Sequence, residues 1–293
     1  MKAGQKKPDW LKVSYNQEAV EEIAQLMKDL KLNTVCKEAN CPNLGECYRK
    51  HTATFMVMGS HCTRNCRFCN VTCGKPQPLD PQEPEHVAEV AKKLGLRHVV
   101  VTQVTRDDLP DGGAAHMAAT VRAIKAACPN TTVEVLISDL KGSESALQTV
   151  LDAQPDVMNH NVEMVKELYS SVRPQAIYER SLKVLSDSKR LAPHILTKTG
   201  FMLGLGETDA QVEVLMDDIR ATGCDILTIS QYLQPTAAHW PLDRYVTPDE
   251  FARFKDIALQ KGFRFVASSP LVRSSYRAAE ALEAVQGGKA DGE

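Results

Sequence analysis

Between Thr52 and Ser268, short runs rich in Val, Ile and Leu alternate with segments of helical period, and this rhythm constrains the fold more than any other feature. "TATFMVMG" (52–59) reads as a buried strand, "EPEHVAEVAKKLGL" (83–96) as a helix ending at Gly95, and "RHVVVTQV" (97–104) as the next strand. The pattern continues with helix "GGAAHMAATVRAIKAAC" (112–128), strand "TTVEVLIS" (131–138), helix "SESALQTVLDA" (143–153) and strand "DVMNHN" (156–161). Helices flank the strand "HILTKTGFMLGL" (194–205). Helix "TDAQVEVLMDDIRATG" (208–223) then leads to "DILTISQYL" (225–233), and helix "TPDEFARFKDIALQKG" (247–262) to "FRFVAS" (263–268). Apolar strands joined by amphipathic crossovers imply parallel βαβ units, whose sheet is covered on both faces. About six such units plus a late strand make most of a barrel but fall short of eight. An open doubly wound sheet carries the same signature, because periodicity does not reveal closure.

Upstream, Val20, Ile23, Leu26, Met27 and Leu30 recur at helical spacing in "NQEAVEEIAQLMKDLKL" (16–32), with Asn16 as the cap. Downstream, "VQGGKADGE" (285–293) reads as a frayed end. With 293 residues, 43% hydrophobic and 25% charged, the chain can bury one large core or two smaller ones. A formal net charge of −2 argues against general affinity for nucleic acid or anionic membrane. The basic start lacks the apolar core of a secretory signal and no run is long enough for a membrane span, so the expected compartment is the cytoplasm. Thiols stay reduced there, which points clustered cysteines toward metal binding or catalysis rather than disulfides.

Seven of the nine cysteines fall between Cys36 and Cys73, in two differently spaced groups. Cys36, Cys41 and Cys47 read C-x4-C-x5-C; Cys62, Cys66 and Cys69 read C-x3-C-x2-C, with Cys73 trailing. Structural zinc sites combine close pairs to complete four thiolates, and Cys73 offers a fourth. Three thiolates equally suit a 4Fe–4S cluster that keeps one iron open for substrate or cofactor. Spacing alone leaves both readings standing. In parallel α/β folds chemistry gathers at the carboxyl ends of strands. The polar turns "SHCTRNC" (60–66), "TRDDLPDGG" (105–113), "HNVE" (160–163) and "GLGET" (204–208) all fall there.

"CTRNCRFC" (62–69) matches the three-cysteine signature of radical S-adenosylmethionine (SAM) enzymes, with Phe68 in the aromatic slot, directly after the first barrel strand. "GFMLGLGE" (200–207) fits that superfamily's G-x-I-x-G-x-x-E pattern, Met202 replacing Ile. "CKEANCPNLGEC", "RDDLPDGGA", "HNVE", "LGLGET", "QYLQPT", "YVTPDEF" and "PLVRSSY", in this order from about Thr34 to Arg277, resemble the lipoyl synthase family. The resemblance implies a partial (β/α)6 TIM-type barrel over 51–270. An N-terminal extension (1–50) and a C-terminal extension (271–293) flank it. It implies two 4Fe–4S clusters. Cys62, Cys66 and Cys69 hold the one that cleaves SAM; Cys36, Cys41 and Cys47, with Ser275 of the R-S-S-Y motif, hold an auxiliary one consumed as the sulfur source. The implied reaction inserts sulfur at carbons 6 and 8 of an octanoyl group amide-linked to a lysine of a lipoyl carrier. That carrier is a dehydrogenase acyltransferase subunit or the glycine cleavage H protein. An electron donor such as flavodoxin or ferredoxin and an iron–sulfur carrier protein are the further implied partners; no nucleic acid and no membrane is expected.

Position suggests the SAM contacts. Phe68 with Gly200, Met202, Gly204 and Glu207 would surround adenine; Asn161 and Glu163 suit ribose hydroxyls; Lys198 or Arg173 would pair with the methionine carboxylate. Thr102 and Gln103 lie where the superfamily contacts the methionine amino group, although "TQVTRDD" departs from the T-S-V-D-R-D-D of many family members. Plainer readings stand beside these. Cys73 is a bystander, Cys128 and Cys224 are small buried hydrophobes, and His61 and His160 have packing or structural roles. Asp111 caps a helix, Met56, Met58 and Met202 belong to the core, and Arg173 or Arg180 would dock the carrier. A biotin-synthase-like enzyme, a zinc-stapled barrel and an iron–sulfur electron carrier are the alternative functions.

Overall fold

In the computed structural model, the described residues are 7–11, 32–34, 52–275 and 278–287. The helix expected over 16–32 and the cysteines Cys36, Cys41 and Cys47 lie outside them. One eight-stranded sheet runs β1 (Asn33–Thr34), β2 (Thr52–Val57), β5 (His98–Gln103), β6 (Thr132–Leu136), β7 (Val157–Asn159), β8 (Leu196–Leu203), β9 (Ile226–Gln231), β10 (Phe265–Ser268). Short β1 pairs antiparallel with β2; the other neighbours are parallel. Strands β1 and β10 are the two ends of this order, so the curved sheet is a partial barrel among the described residues. Six βα units and a late strand β10 match the sequence count.

Local chemistry sets the helix boundaries. Helix α6 (Asp209–Ala221) opens with a capping box of Thr208 and Gln211, and α7 (Pro248–Gln260) with one of Thr247 and Glu250 plus Pro248 at its first position. Helix α3 (Glu144–Leu151) is capped by Ser143. Asp111 accepts from the backbone N–H groups of Gly113 and Ala115 at 2.9 and 2.8 Å, as expected, ahead of α2 (Ala114–Ala127). Gly113 has φ +88°, and a Cβ there would stand 2.3 Å from Met58 Sδ, so only glycine fits. The remaining helices are α1 (Glu83–Lys93), α4 (Lys166–Val172), α5 (Tyr178–Leu191) and α8 (Ala278–Gly287).

Helix α8 corrects the reading of a fraying end at 285–287. Its apolar Ala281 and Val285 pack on Ile226 beside Leu196 and Phe265, the first residues of their strands, and Arg264 donates to the Val285 carbonyl at 3.1 Å. Ala278, Ala281, Leu282 and Val285 recur at helical spacing, a signal overlooked beside the glycines that follow.

Strand alternation sorts side chains to two faces. Phe201, Leu203, Leu227 and Ile229 face the helices, in a core with Leu215, Met216, Phe251 and Phe254. Lys198, Gly200 and Met202 therefore face the hollow of the sheet. There Lys198 Nζ meets Glu134 Oε2 at 3.0 Å, Asn159 donates to Glu134 Oε1 at 2.7 Å, and His98 Nε2 stands 3.8 Å away. Burial pushes the Glu134 carboxyl up, but the Lys198 charge, the nearby His98 and the Asn159 hydrogen bond outweigh it and hold the carboxyl down.

His160 faces the helix side, with Nδ1 on the Ile137 carbonyl at 2.9 Å and Nε2 on Ser181 Oγ at 3.0 Å. It is the structural histidine expected. Burial pushes it from 6.5 down to about 4, so over that interval the unfolded chain binds a proton that the folded protein refuses. Its stabilising contribution is complete above pH 6.5 and is lost as pH falls toward 4. Denaturant unfolding across this window should therefore show a stability loss of roughly 3 kcal/mol from this residue. His160→Gln should flatten that slope; an unchanged slope in the variant would assign it elsewhere.

Candidate active site

Three cysteines within eight residues can converge only if their short loop is pinned, and neighbouring βα loops do the pinning. After β2 the chain leaves the sheet through left-handed Met58 (φ 70°) and Gly59 (φ 93°). The Met58 N–H donates to Glu83 Oε2 at 2.8 Å, and its carbonyl accepts from Arg106 at 3.3 Å. A small parallel ladder of β3 (His61–Cys62) and β4 (Thr72–Cys73) then starts and closes the cysteine loop. Cys73 is exposed and register-paired with Cys62, outside the C-x3-C-x2-C triad.

Arg64, between the first two cysteines, carries most of the anchoring. Its guanidinium donates to Asp107 at 2.7 and 3.0 Å and to Asp139 at 2.6 Å, with the Arg64 and Asp139 side chains 4% and 0% exposed. Thr63 bonds the Thr105 carbonyl and accepts from the Asp107 N–H at 3.1 Å. "RDDLPDGG" is thus no free polar loop. Its Asp107 grips the cysteine loop, and its Arg106 and Asp108 pair bidentately with each other.

The other side of the loop rests on α4 and on the segment after β9. The Arg67 N–H donates to the Val172 carbonyl at 2.8 Å and the Asn65 N–H to Gln175 Oε1 at 2.7 Å. The Trp240 N–H donates to the Arg67 carbonyl at 2.7 Å, the Arg67 guanidinium lies 4.7 Å over the indole, and His239 Nε2 contacts the Cys69 carbonyl at 3.1 Å. Sequence reasoning missed His239 and Trp240. "QYLQPT" pointed near them, but nothing local shows that a segment 170 residues away supports Cys69.

Cys62, Cys66 and Cys69 are half-buried free thiols. Burial pushes Cys66 up, partly opposed by Arg173, and pushes Cys69 up to about 12. Three half-buried thiols within eight residues form an all-sulfur donor set that suits an iron–sulfide cluster.

Arg173 is no docking residue: it is buried behind the loop. It donates to Tyr169 Oη at 2.8 Å and the Val162 carbonyl at 3.3 Å, bonds Cys66, and lies 5.1 Å from the Tyr169 ring centre. Its Nε is buried without a partner. Arg180 is likewise engaged, with Asp139 at 3.4 Å. Both had been expected to dock the carrier because a sequence gives no depth.

The expected SAM residues lie on or around the carboxyl end of the sheet, with distinct local duties. Asn161 donates to Ser274 Oγ at 2.8 Å while its Oδ1 is buried and unpartnered. Glu163 adopts φ 77° and bridges to Phe201; burial raises its carboxyl against the pull of Arg173 and the Asn161 hydrogen bond. Gly200 must be glycine, since a Cβ would lie 2.2 Å from Thr228 Oγ1. Glu207 accepts from the Gly204 and Leu205 N–H groups at 2.6 and 2.9 Å, so its carboxylate shapes the "GLGE" turn. Phe68 and Met202 are half-buried against the same apolar core. Thr102 bonds the Leu136 carbonyl at 3.0 Å; Gln103 bonds Gly112 and Ser138, leaving its Oε1 buried and unpartnered. Lys198 is committed to Glu134 deeper in the hollow. Ser275 is half-buried beside Ser274.

Residues 56–219, more than half of the chain, match the family model of the Radical SAM superfamily, and the loop and sheet just described are that class of site. A solved methylornithine synthase shares the fold with a TM-score of 0.57 at 12% identity, over 89% of this chain and 85% of its own. The hydrogenase maturase HydG gives 0.57 at 14% identity, over 93% and 67%. Sequence relatives are far nearer. A lipoyl synthase of Caldanaerobacter subterraneus subsp. tengcongensis is 55% identical over 96% of this chain and 99% of its own length. Lipoyl synthases of Rubrobacter xylanophilus and Alkaliphilus metalliredigens are 54% and 52% identical over 94% and 95% of this chain, and 87% and 96% of their own lengths. The chain belongs to the lipoyl synthase family.

Arg64→Ala would strip the buried Asp139 carboxylate of its shortest ion pair, leaving the longer Arg180 contact and the Lys141 N–H at 3.1 Å. Breaking a buried pair of this kind costs about 3 kcal/mol or more. Denaturant unfolding of the variant should show a loss of that order, with lower iron uptake on anaerobic reconstitution. A loss below about 1 kcal/mol, the worth of a surface pair, would show that the clamp is not structural.

Proposed function

We propose that the chain inserts two sulfur atoms at carbons 6 and 8 of an octanoyl group amide-linked to a lysine of a lipoyl carrier domain, giving lipoyl-lysine. The observation that carries this reading is the C-x3-C-x2-C loop, clamped through Arg64 at the carboxyl end of the first parallel strand of a radical SAM domain. Such C–H bonds are beyond any side-chain base, so a cofactor must carry the hard step. When bound, SAM and the iron–sulfur centres supply one-electron chemistry for hydrogen abstraction and the sulfur that replaces hydrogen.

The chain's own residues bind, orient and exclude water. Cys62, Cys66 and Cys69 would lose their protons to become thiolate ligands, and burial, which raises Cys66 and Cys69, makes that loss dependent on the cation's charge. Arg173, buried near Glu163, sets a positive charge beside Cys66. Asn161 offers a free carbonyl and Glu163 a carboxyl for ribose hydroxyls. Gly200 and Gly204 leave room that a side chain would fill, and Phe68 and Met202 give an apolar wall. Thr102 and Gln103 would face the methionine amino group. Glu207 acts by holding its turn, and Lys198, already neutralised by Glu134, is a floor residue, which leaves Arg173 the better partner for the methionine carboxylate. Cys36, Cys41, Cys47 and Ser275 would hold the second cluster, the sulfur donor. The carrier, a reductant such as flavodoxin or ferredoxin, and an iron–sulfur carrier protein that restores the second cluster complete the system.

Incubating reduced, reconstituted protein with SAM and an octanoyl-lysine peptide, then weighing the peptide by mass spectrometry, tests the reading. Exchange of two hydrogens for two sulfurs is expected; an unaltered peptide alongside SAM cleavage would overturn it. The variant with Cys36, Cys41 and Cys47 all changed to Ala should still cleave SAM yet yield no lipoyl product. Ser275→Ala should impair product formation while SAM cleavage continues.

A further inference from the structure

The end of β7 and the segment after β10 meet through one hydrogen bond. Asn161 Nδ2 donates to Ser274 Oγ at 2.8 Å across 113 residues of chain. The segment carrying Ser274 leaves β10 alongside β9, where the Ser269 N–H donates to the Ile229 carbonyl at 3.2 Å. It turns at Val272, buried at 4% exposure, whose N–H returns to the Ser269 carbonyl at 3.2 Å. In the sheet order β7-β8-β9-β10, it must therefore cross the carboxyl ends of two strands to reach Asn161.

The Asn161 amide is used on one side only. Its nitrogen serves Ser274 and Glu163, whereas Oδ1 is buried with no donor. Gly200 keeps the neighbouring space open, since a Cβ there would come within 3.2 Å of that oxygen. A buried amide carbonyl without a donor is costly unless a ligand or water completes it. A hydroxyl donated to Oδ1 would polarise the amide and strengthen donation from Nδ2 to Ser274.

We propose that Asn161 and Ser274 are a positioning pair that couples occupancy of the nucleoside site to seating of the C-terminal Ser274–Ser275 segment over the barrel mouth. The inference rests on the reading that a nucleoside hydroxyl sits at the end of β7. By linkage the coupling is reciprocal: a ligand on Oδ1 holds the segment, and the seated segment tightens the ligand. Ser275, adjacent to the contact, is thereby presented to the mouth when the nucleoside is in place.

The test uses reconstituted holoenzyme and S-adenosylhomocysteine, a sulfonium-free analogue that is not cleaved. Calorimetry on wild type, Ser274→Ala, Asn161→Ala and the double variant forms a cycle. Removing one neutral hydrogen bond should weaken binding about fivefold in Ser274→Ala. Ser274→Thr, which keeps the hydroxyl, should restore it, and the double variant should bind no more weakly than Asn161→Ala alone. Amide exchange at 269–275 should slow on ligand addition in wild type and not in Ser274→Ala. Wild-type affinity in Ser274→Ala, or strict additivity in the double variant, overturns the coupling and leaves the site intact. Absence of any analogue binding to wild type overturns the nucleoside site itself.

Discussion

Strand alternation in a curved parallel sheet is the constraint on which the rest of this molecule depends. Each strand sends one set of side chains to the helices and the other into the hollow, and the two sets differ chemically. The helix-facing set is apolar and holds the sheet in place through burial. The inward set includes Lys198, Glu134, Asn159, His98 and, at the rim, Asn161. A polar hollow is tolerable because its charged members are paired, Lys198 on Glu134 with Asn159 donating to the same carboxylate. Toward the carboxyl end Asn161 Oδ1 is buried without a donor, and a ligand has something to complete there.

The cysteine loop meets a different demand. It has little apolar surface of its own, yet its three thiols must hold a fixed arrangement. Its rigidity is borrowed from three regions of the chain: Asp107 and Asp139 through Arg64, Val172 and Gln175 behind it, and His239 and Trp240 above it. The Arg64 clamp is charged on both sides and largely removed from water, so its geometry is enforced. A misplaced loop would strand a buried carboxylate.

How much could be read in advance follows from the range of each interaction. The six βα units, the Asp111 cap, the structural His160 and the buried Cys224 depend on local periodicity, capping or apolar context, and the sequence showed them. The family motifs pointed to the lipoyl synthase family, and relatives above 50% identity bear that out. The errors concern depth and distance. Arg173 and Arg180 look like any surface arginine, yet one is buried against Cys66 and the other neutralises Asp139. The last turn of helix α8, 285–287, was read as a frayed end because the glycines there drew more weight than the alanine-rich apolar stripe before them.

By itself the sequence determined the order of strands and helices, the thiol spacing and the class of chemistry, because hydrophobic period and ligand spacing are properties of neighbours along the chain. Only the tertiary structure decided which carboxylates hold Arg64, that Lys198 is spent on Glu134 while Arg173 is buried beside Cys66, and that Ser274 reaches Asn161. Those are choices among groups tens to more than a hundred residues apart. They are settled by which side chains the folded sheet brings together and removes from water, and no local pattern encodes that outcome.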